Sequence, residues 1–308
     1  MLRAFFVHLS ENRSLRNFAE RTAFGRRVSG RFVAGTEIAD AVRVTQTVNR
    51  TGMSVSIDNL GENVTNPDEA RQSAHLYHQI LDAIAANNLN ANISLKLTHM
   101  GLDVDEKLAQ DQVSSLVAKA SAMTPSGFVR VDMEGSPYTQ RTLDFVHELH
   151  RMPGNGNSVG TVIQAYLKRS ESDIEKLLAE GIRIRLCKGA YKEPPTIALE
   201  KKDDVDANYV KLMKVLMKSG IYHGLATHDE KIIRAAQVFA RRENIARDSF
   251  EFQMLYGIRR DLQQSLVREG WRVRVYIPFG TEWYPYFMRR LGERPANVFF
   301  IARNLLRR

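Results

Sequence analysis

Apolar and polar positions along the chain fall into two kinds of stretch. Short runs of β-branched or otherwise apolar residues, each closing on polar residues or glycine, recur at 53–62 (MSVSIDNLGE), 92–101 (NISLKLTHMG), 128–136 (FVRVDMEGS) and 161–167 (TVIQAYL). Four more follow at 182–191 (IRIRLCKGAY), 223–229 (HGLATHD), 250–257 (FEFQMLYG) and 273–280 (VRVYIPFG). Between most of them the apolar residues return with helical period, as in 67–88, 139–152 and 170–181. The first kind predicts strands and the second helices. The stretch 170–181 opens on Ser170 with an acidic first turn and closes on Gly181, which predicts a capped helix. Strands that alternate with helices pair in parallel through crossovers, and a count of eight favours a closed (βα)8 barrel over an open sheet. The barrel is expected over residues 51–308, with residues 1–50 as a helical extension outside it.

In a barrel of this kind chemistry sits at the C-terminal ends of the strands. Those ends read Asp58, Lys96, Asp132, Gln164, Arg185 with Lys188, Thr227 with His228, Gln253 and Tyr276. One aspartate after a strand is an ordinary loop cap; a polar group from nearly every strand is a site. Lys96, Arg185, Lys188, Arg289 and Arg290 outnumber the two aspartates, so the mouth should draw anions. Gly189, just past a strand in CKGAY, is placed where backbone can approach a ligand. The adjacent Arg289 and Arg290 in TEWYPYFMRRL have two readings. They can form surface ion pairs with Glu293, or they can form a fork for a small carboxylate.

Composition narrows the classes. The 308 residues are 44% apolar, enough for a real core, and no run nears the roughly 18–20 apolar residues of a membrane span. The single cysteine, Cys187, excludes an intrachain disulfide and fits a reducing, cytoplasmic setting. Net charge is +9 and sits at the ends, with nine arginines against four acids in 1–50 and eleven against four in 257–308. Basic ends can meet nucleic acid or anionic lipid. With no zinc-finger spacing and no RNP-like aromatic motif, nucleic acid is not expected, and a solubility feature or peripheral contact with the inner face of the membrane is the better reading. The arginine-rich start has the look of a transit peptide, but Glu11 and Glu20 within it favour a mature amphipathic helix. The chain has no GxGxxG, P-loop, CxxC or HExxH, which argues against a Rossmann site and gives no metal-ligand spacing.

The stretches ISLKLTHMGLD, VRVDMEGS, VIQAYL, IRLCKGAY, LATHD, FEFQMLYGIR and RVYIPFGTEWYPYFMRRLGERPANV together resemble the proline dehydrogenase family, in its short single-function bacterial form. They follow the family's order from residue 53 to about 299. The resemblance implies a distorted (βα)8 barrel with N-terminal helices and a final helix over the mouth. It also implies FAD-dependent oxidation of L-proline to Δ1-pyrroline-5-carboxylate, with electrons passed to a membrane quinone. By the same resemblance Arg289 and Arg290 grip the proline carboxylate, and Lys96, Tyr276 and Leu255 border the substrate. Asp132 is an active-site residue and the expected partner of Lys96. Met133, Gln164 and Arg185 face the flavin ring, Arg185 beside N5. Lys188, Gly189 and Ala190 hold its phosphate and ribose portion, with Thr227 and His228 as a second contact pair. The rival expectation is a Schiff-base aldolase using Lys96 or Lys188 on an anionic substrate.

Overall fold

All eight expected strands are present in the computed structural model, which describes residues 30–125 and 127–293, with side chains through residue 288. They are β1 (Ser54–Asn59), β2 (Ala91–Leu95), β3 (Val129–Val131), β4 (Val159–Gln164), β5 (Arg183–Cys187), β6 (His223–Ala226), β7 (Phe250–Leu255) and β8 (Val273–Phe279). Each pairs in parallel with the next, and β8 returns to β1 to close the barrel. Nine α-helices stand among the described residues. They are α1 (Ile38–Asn49), α2 (Pro67–Ala86), α3 (Glu106–Ala122), α4 (Ser136–Arg151) and α5 (Ser170–Ala179), then α6 (Lys202–Lys218), α7 (Glu230–Arg242), α8 (Arg260–Arg268) and α9 (Trp283–Glu293).

The strands alternate in a way that decides where charge goes. On β1, Val55 and Ile57 lie in the apolar core beneath the helices, while Ser56 and Asp58 take the other face. The same phase places Ser94, Arg130, Arg185, Gln253 and Arg274 inside the barrel, as their bonds across it show. Ser56 bonds Asn92 at 2.5 Å, and Arg185 of β5 reaches Asp132 past the end of β3 at 2.6 Å. Barrel interiors are commonly filled by branched apolar residues; this one is filled by a hydrogen-bonded polar lattice.

Side-chain caps are present at some helix starts and absent at the one the sequence predicted. The Asn66 side chain caps α2 by accepting from Glu69 N at 3.0 Å, with Pro67 in the first turn. Ser170, expected to cap α5, does not. Arg169 holds the cap position, and the Ser170 hydroxyl turns back to the Gln164 carbonyl at 2.6 Å, tying the helix to the end of β4. Gly181 closes that helix at φ +77 as expected.

Of the expected N-terminal helices, α1 lies within the described residues and packs against β1 and β8; residues 1–29 lie outside them. Residues 31–35 run beside the end of β8, where Ala34 N donates to Pro278 O and Gly280 N to Gly35 O, each at 2.9 Å. The last described helix, α9, buries Trp283, Tyr284, Tyr286 and Phe287 against Phe32, Val33 and Leu60, just past β1, and so covers the mouth. At the neighbouring β7 loop, a Cβ on Gly257 (φ +76) would stand 1.8 Å from the Arg31 carbonyl oxygen. Gly257→Ala is therefore expected to destabilise the fold, by about 1–3 kcal/mol from backbone strain alone. Urea unfolding of the variant checks this; a midpoint within error of wild type would show that the 31–35 crossing is loosely held.

Candidate active site

Arg185 is the centre of the mouth. Its guanidinium is 7% exposed and touches four other strands or their ends: Gln253 at 2.5 Å, Asp132 at 2.6 Å, Ser94 at 3.1 Å and Ser56 at 3.4 Å. It also lies over the Tyr276 ring at 5.2 Å. Asp132 is held on both oxygens: Oδ1 accepts from Arg185 and, at 2.7 Å, from Ser94, while Oδ2 accepts from the Tyr276 hydroxyl at 3.1 Å. Burial, with the Asp132 and Asp58 charges adding, keeps the Tyr276 phenol well above its ordinary range, so it stays a donor.

This arrangement corrects one expected pairing. Lys96 does not take Asp132; among the described residues the carboxylate within ion-pair reach is Asp58, at 3.5 Å, with Asp58 1% exposed. Asp132 is already committed to Arg185. The Tyr77 hydroxyl, reaching inward from α2, lies 3.3 Å from Asp58 Oδ1 and 2.9 Å from the Ser94 carbonyl. Burial opposes the Lys96 ammonium, but Asp58 and then Asp132 outweigh it and hold Lys96 above its ordinary range. Burial pushes the Asp58 carboxyl up, with Lys96 pulling against it and the Asp132 charge adding to it. A Schiff-base lysine needs the opposite shift, toward the free amine. Lys188 is engaged in ion pairs, with Asp229 at 2.9 Å and with Asp206. Neither lysine suits the aldolase reading.

The ends of β4 to β7 form the second half of the mouth. The Gln164 amide donates to the Glu134 carbonyl at 3.0 Å and accepts from Ala190 N at 3.4 Å, so these two expected residues are together. Gly189 has φ +117, and a Cβ there would stand 2.2 Å from the Tyr166 ring. Its glycine is therefore already required by packing within the chain. The Thr227 hydroxyl accepts from Asp229 N at 3.1 Å, the same aspartate that holds Lys188. The His228 Nε2 accepts from Leu255 N at 2.9 Å, so the expected cofactor contact positions the expected substrate wall. Met133 is buried beside Asp132 in the chain. Arg289 and Arg290 fall on α9, and their side chains lie outside the described residues.

Sequence reasoning noted Asp58 without giving it a partner and passed over Ser56, Ser94, Tyr77 and Glu134. The serines were legible as alternate polar positions in SVSID and NISLK. Glu134 is buried and accepts from both the Thr98 hydroxyl (2.7 Å) and Thr98 N (3.2 Å), joining the loops after β2 and β3.

Fold and site define a (βα)8-barrel enzyme with its acid, base and guanidinium groups gathered at one mouth. The family model described as proline dehydrogenase matches residues 41–303. The chain is 40% identical to proline dehydrogenase 1 of Bacillus subtilis (strain 168) over 309 residues, the full length of both. It is also 40% identical to the proline dehydrogenase of Deinococcus radiodurans over 280 residues, 90% of this chain and 89% of that one. Its barrel superposes on the crystal structure of proline utilization A (PutA) from Bdellovibrio bacteriovorus inactivated by N-propargylglycine. The TM-score is 0.80 at 26% identity, over 87% of this chain and 32% of that longer one. The chain belongs to the proline dehydrogenase family and is an oxidoreductase.

Proposed function

We propose that the protein oxidises L-proline to Δ1-pyrroline-5-carboxylate with FAD at the ends of β3 to β6, and that the electrons pass on to a quinone. The observation that carries this reading is the convergence of Lys96, Asp132, Arg185 and Tyr276 on one mouth.

The residues present fit a flavin. Gln164 offers an amide between the β3 and β5 loops, and Arg185 supplies a fixed, buried positive charge at the centre. Lys188, ion-paired with Asp229 and Asp206, still has N–H donors to offer a phosphate oxygen. Bound FAD supplies the two-electron acceptor that none of these side chains can be. The protein's part is orientation. Lys96, kept charged, borders the substrate, while the Tyr276 ring, fixed by Asp132, is its wall. Leu255, pinned through His228, closes another side. The cationic surroundings disfavour the proline ammonium and so favour loss of its proton. With both Asp132 oxygens already bonded, the carboxylate acts by fixing Arg185 and Tyr276. Residues 1–50 are proposed as an extension to the barrel, and the basic ends as a peripheral hold on an anionic membrane. Among the described residues no helix is long and apolar enough to cross one.

Steady-state oxidation of proline with an artificial electron acceptor, with trapping of the imine product, tests the reading. Turnover by wild type supports it, and no turnover from flavin-loaded protein overturns it. On the same assay Arg290→Ala is expected to raise KM for proline by about 10–100-fold, the loss of one charged carboxylate contact, while flavin stays bound. An unchanged KM would remove Arg290 from the carboxylate clamp. N-propargylglycine, which inactivates the Bdellovibrio PutA, is expected to inactivate this protein with time, and proline to protect against it.

A further inference from the structure

The floor of the barrel carries more positive charge than its acids balance. Near the N-terminal ends of β3, β5 and β8, Arg130, Arg183 and Arg274 lie in the field of Glu251, which among the described residues pairs with Arg274 alone. That carboxylate is committed: it accepts from Arg274 at 2.6 Å, from Gln253 at 2.7 Å and from the Tyr222 hydroxyl at 2.9 Å. Arg274 is thereby neutralised. Arg130, 5% exposed, has no carboxylate in ion-pair reach among the described residues. Its Nη1 donates to the carbonyls of Thr161 (2.8 Å) and Arg183 (2.7 Å), and its buried Nε meets no acceptor.

Arg183 is in the same position but nearer to solvent. Among the described residues no carboxylate pairs with it. Its guanidinium lies over the Phe128 ring and over the Tyr222 ring, 5.1 Å from each centroid. Arg272 lies over Tyr222 at 5.5 Å, is half exposed, and reaches Asp248 only at 3.6 Å. A guanidinium held against rings instead of by a carboxylate keeps N–H donors for an oxyanion, which it can grip through two parallel bonds. Confining the side chain beforehand lowers the ordering cost of binding. The field of this cluster is felt nearby: burial, with Arg130 and Arg183 adding, pushes the His223 imidazole down to about 3.

We infer that the floor of the barrel is an oxyanion-binding site, separate from the mouth, in which Arg183 takes a phosphate or carboxylate group, Arg272 is the second arm, and the Arg130 charge behind them strengthens the grip. Binding there neutralises a charge excess that the described chain leaves open.

The test titrates full-length, flavin-loaded protein at constant ionic strength, against a chloride background, with inorganic phosphate and separately with citrate. Melting temperature and heat of binding are followed. A saturable response is expected, weakened about tenfold or more in Arg183→Gln through loss of the bidentate contact. Proline turnover should be unchanged in the variant. Response to phosphate alone would assign the site to phosphoryl groups, and response to citrate alone to carboxylates. Should Arg183→Gln fail to fold, Arg272→Gln on the exposed arm is read instead and is expected to weaken binding by a smaller factor. No saturable response in wild type would overturn the inference. So would binding equal in wild type and variant, or binding that competes with proline and therefore lies at the mouth.

Discussion

Replacing Arg185 by methionine is expected to lower the rate of proline oxidation by about 10²–10³-fold, the usual cost of removing a preorganised charge from a reacting centre. The reason is where the guanidinium sits. It is bonded to Asp132, Gln253, Ser94 and Ser56 and covers the Tyr276 ring, so it is the group through which its own strand and five others share one geometry. Its loss strands the mostly buried Asp132 carboxylate without a cation, which costs about 3–5 kcal/mol when one partner of a buried pair is removed. Urea unfolding should therefore register the change as well as the assay. Arg185→Lys is expected to recover part of the stability and little of the rate, because an ammonium cannot span the same four acceptors. A methionine variant that kept activity within about threefold of wild type, well under the cost expected here, would contradict the role given to Arg185.

The second large effect is on stability against pH. Burial, with Lys96 adding, holds His99 down at about 4, and burial, with Arg130 and Arg183 adding, holds His223 down at about 3. Both rings are neutral in the folded protein at pH values where the unfolded chain would protonate them. The unfolded state then binds more protons, so stability rises with pH in that window. Their contribution is fully present above about pH 6.5 and is lost as pH falls toward 4 for His99 and 3 for His223, by about 1.4 kcal/mol per pH unit for each. Below about pH 4.5, carboxylates held down by cations, Asp229 by Lys188 and Glu251 by Arg274, lose their contribution as well. Burial raises Asp58 and Glu134, and these act in the opposite direction. The histidine slope is therefore read from variants. Urea unfolding at pH 7.5, 6 and 4.5 is expected to show a steep loss that is visibly shallower in His99→Gln. Equal slopes in the two proteins would mean that His99 is not buried as described.

The barrel was legible because its strands obey one rule along their length. Val55, Ile57, Ile93 and Leu95 turn outward to the helices, while the residues between them turn inward, so each strand announced both its existence and its polar end. Partners were less legible. Lys96 stands on the strand between those of Asp58 and Asp132, and neighbouring strands on either side are equivalent by spacing. The choice is made by Arg185, which comes from across the barrel and occupies Asp132; nothing local to Lys96 records that. Tyr77 carries no signal at all, since a tyrosine on the inner face of a helix reads as core until its hydroxyl is found beneath Asp58. Ser170 shows the limit of capping signals, because its hydroxyl had a second acceptor six residues back in the chain. Of TEWYPYFMRRL, the aromatic half is settled as the packing face of α9.

The most direct test of the central proposal is the visible spectrum of the purified protein before and after anaerobic addition of L-proline. The expected result is an oxidised flavin spectrum that bleaches on proline, which would establish cofactor, substrate and direction of electron flow in one experiment. A flavin that stays oxidised under saturating proline would contradict the substrate. A protein that neither carries nor takes up FAD would contradict the flavin chemistry built around Arg185.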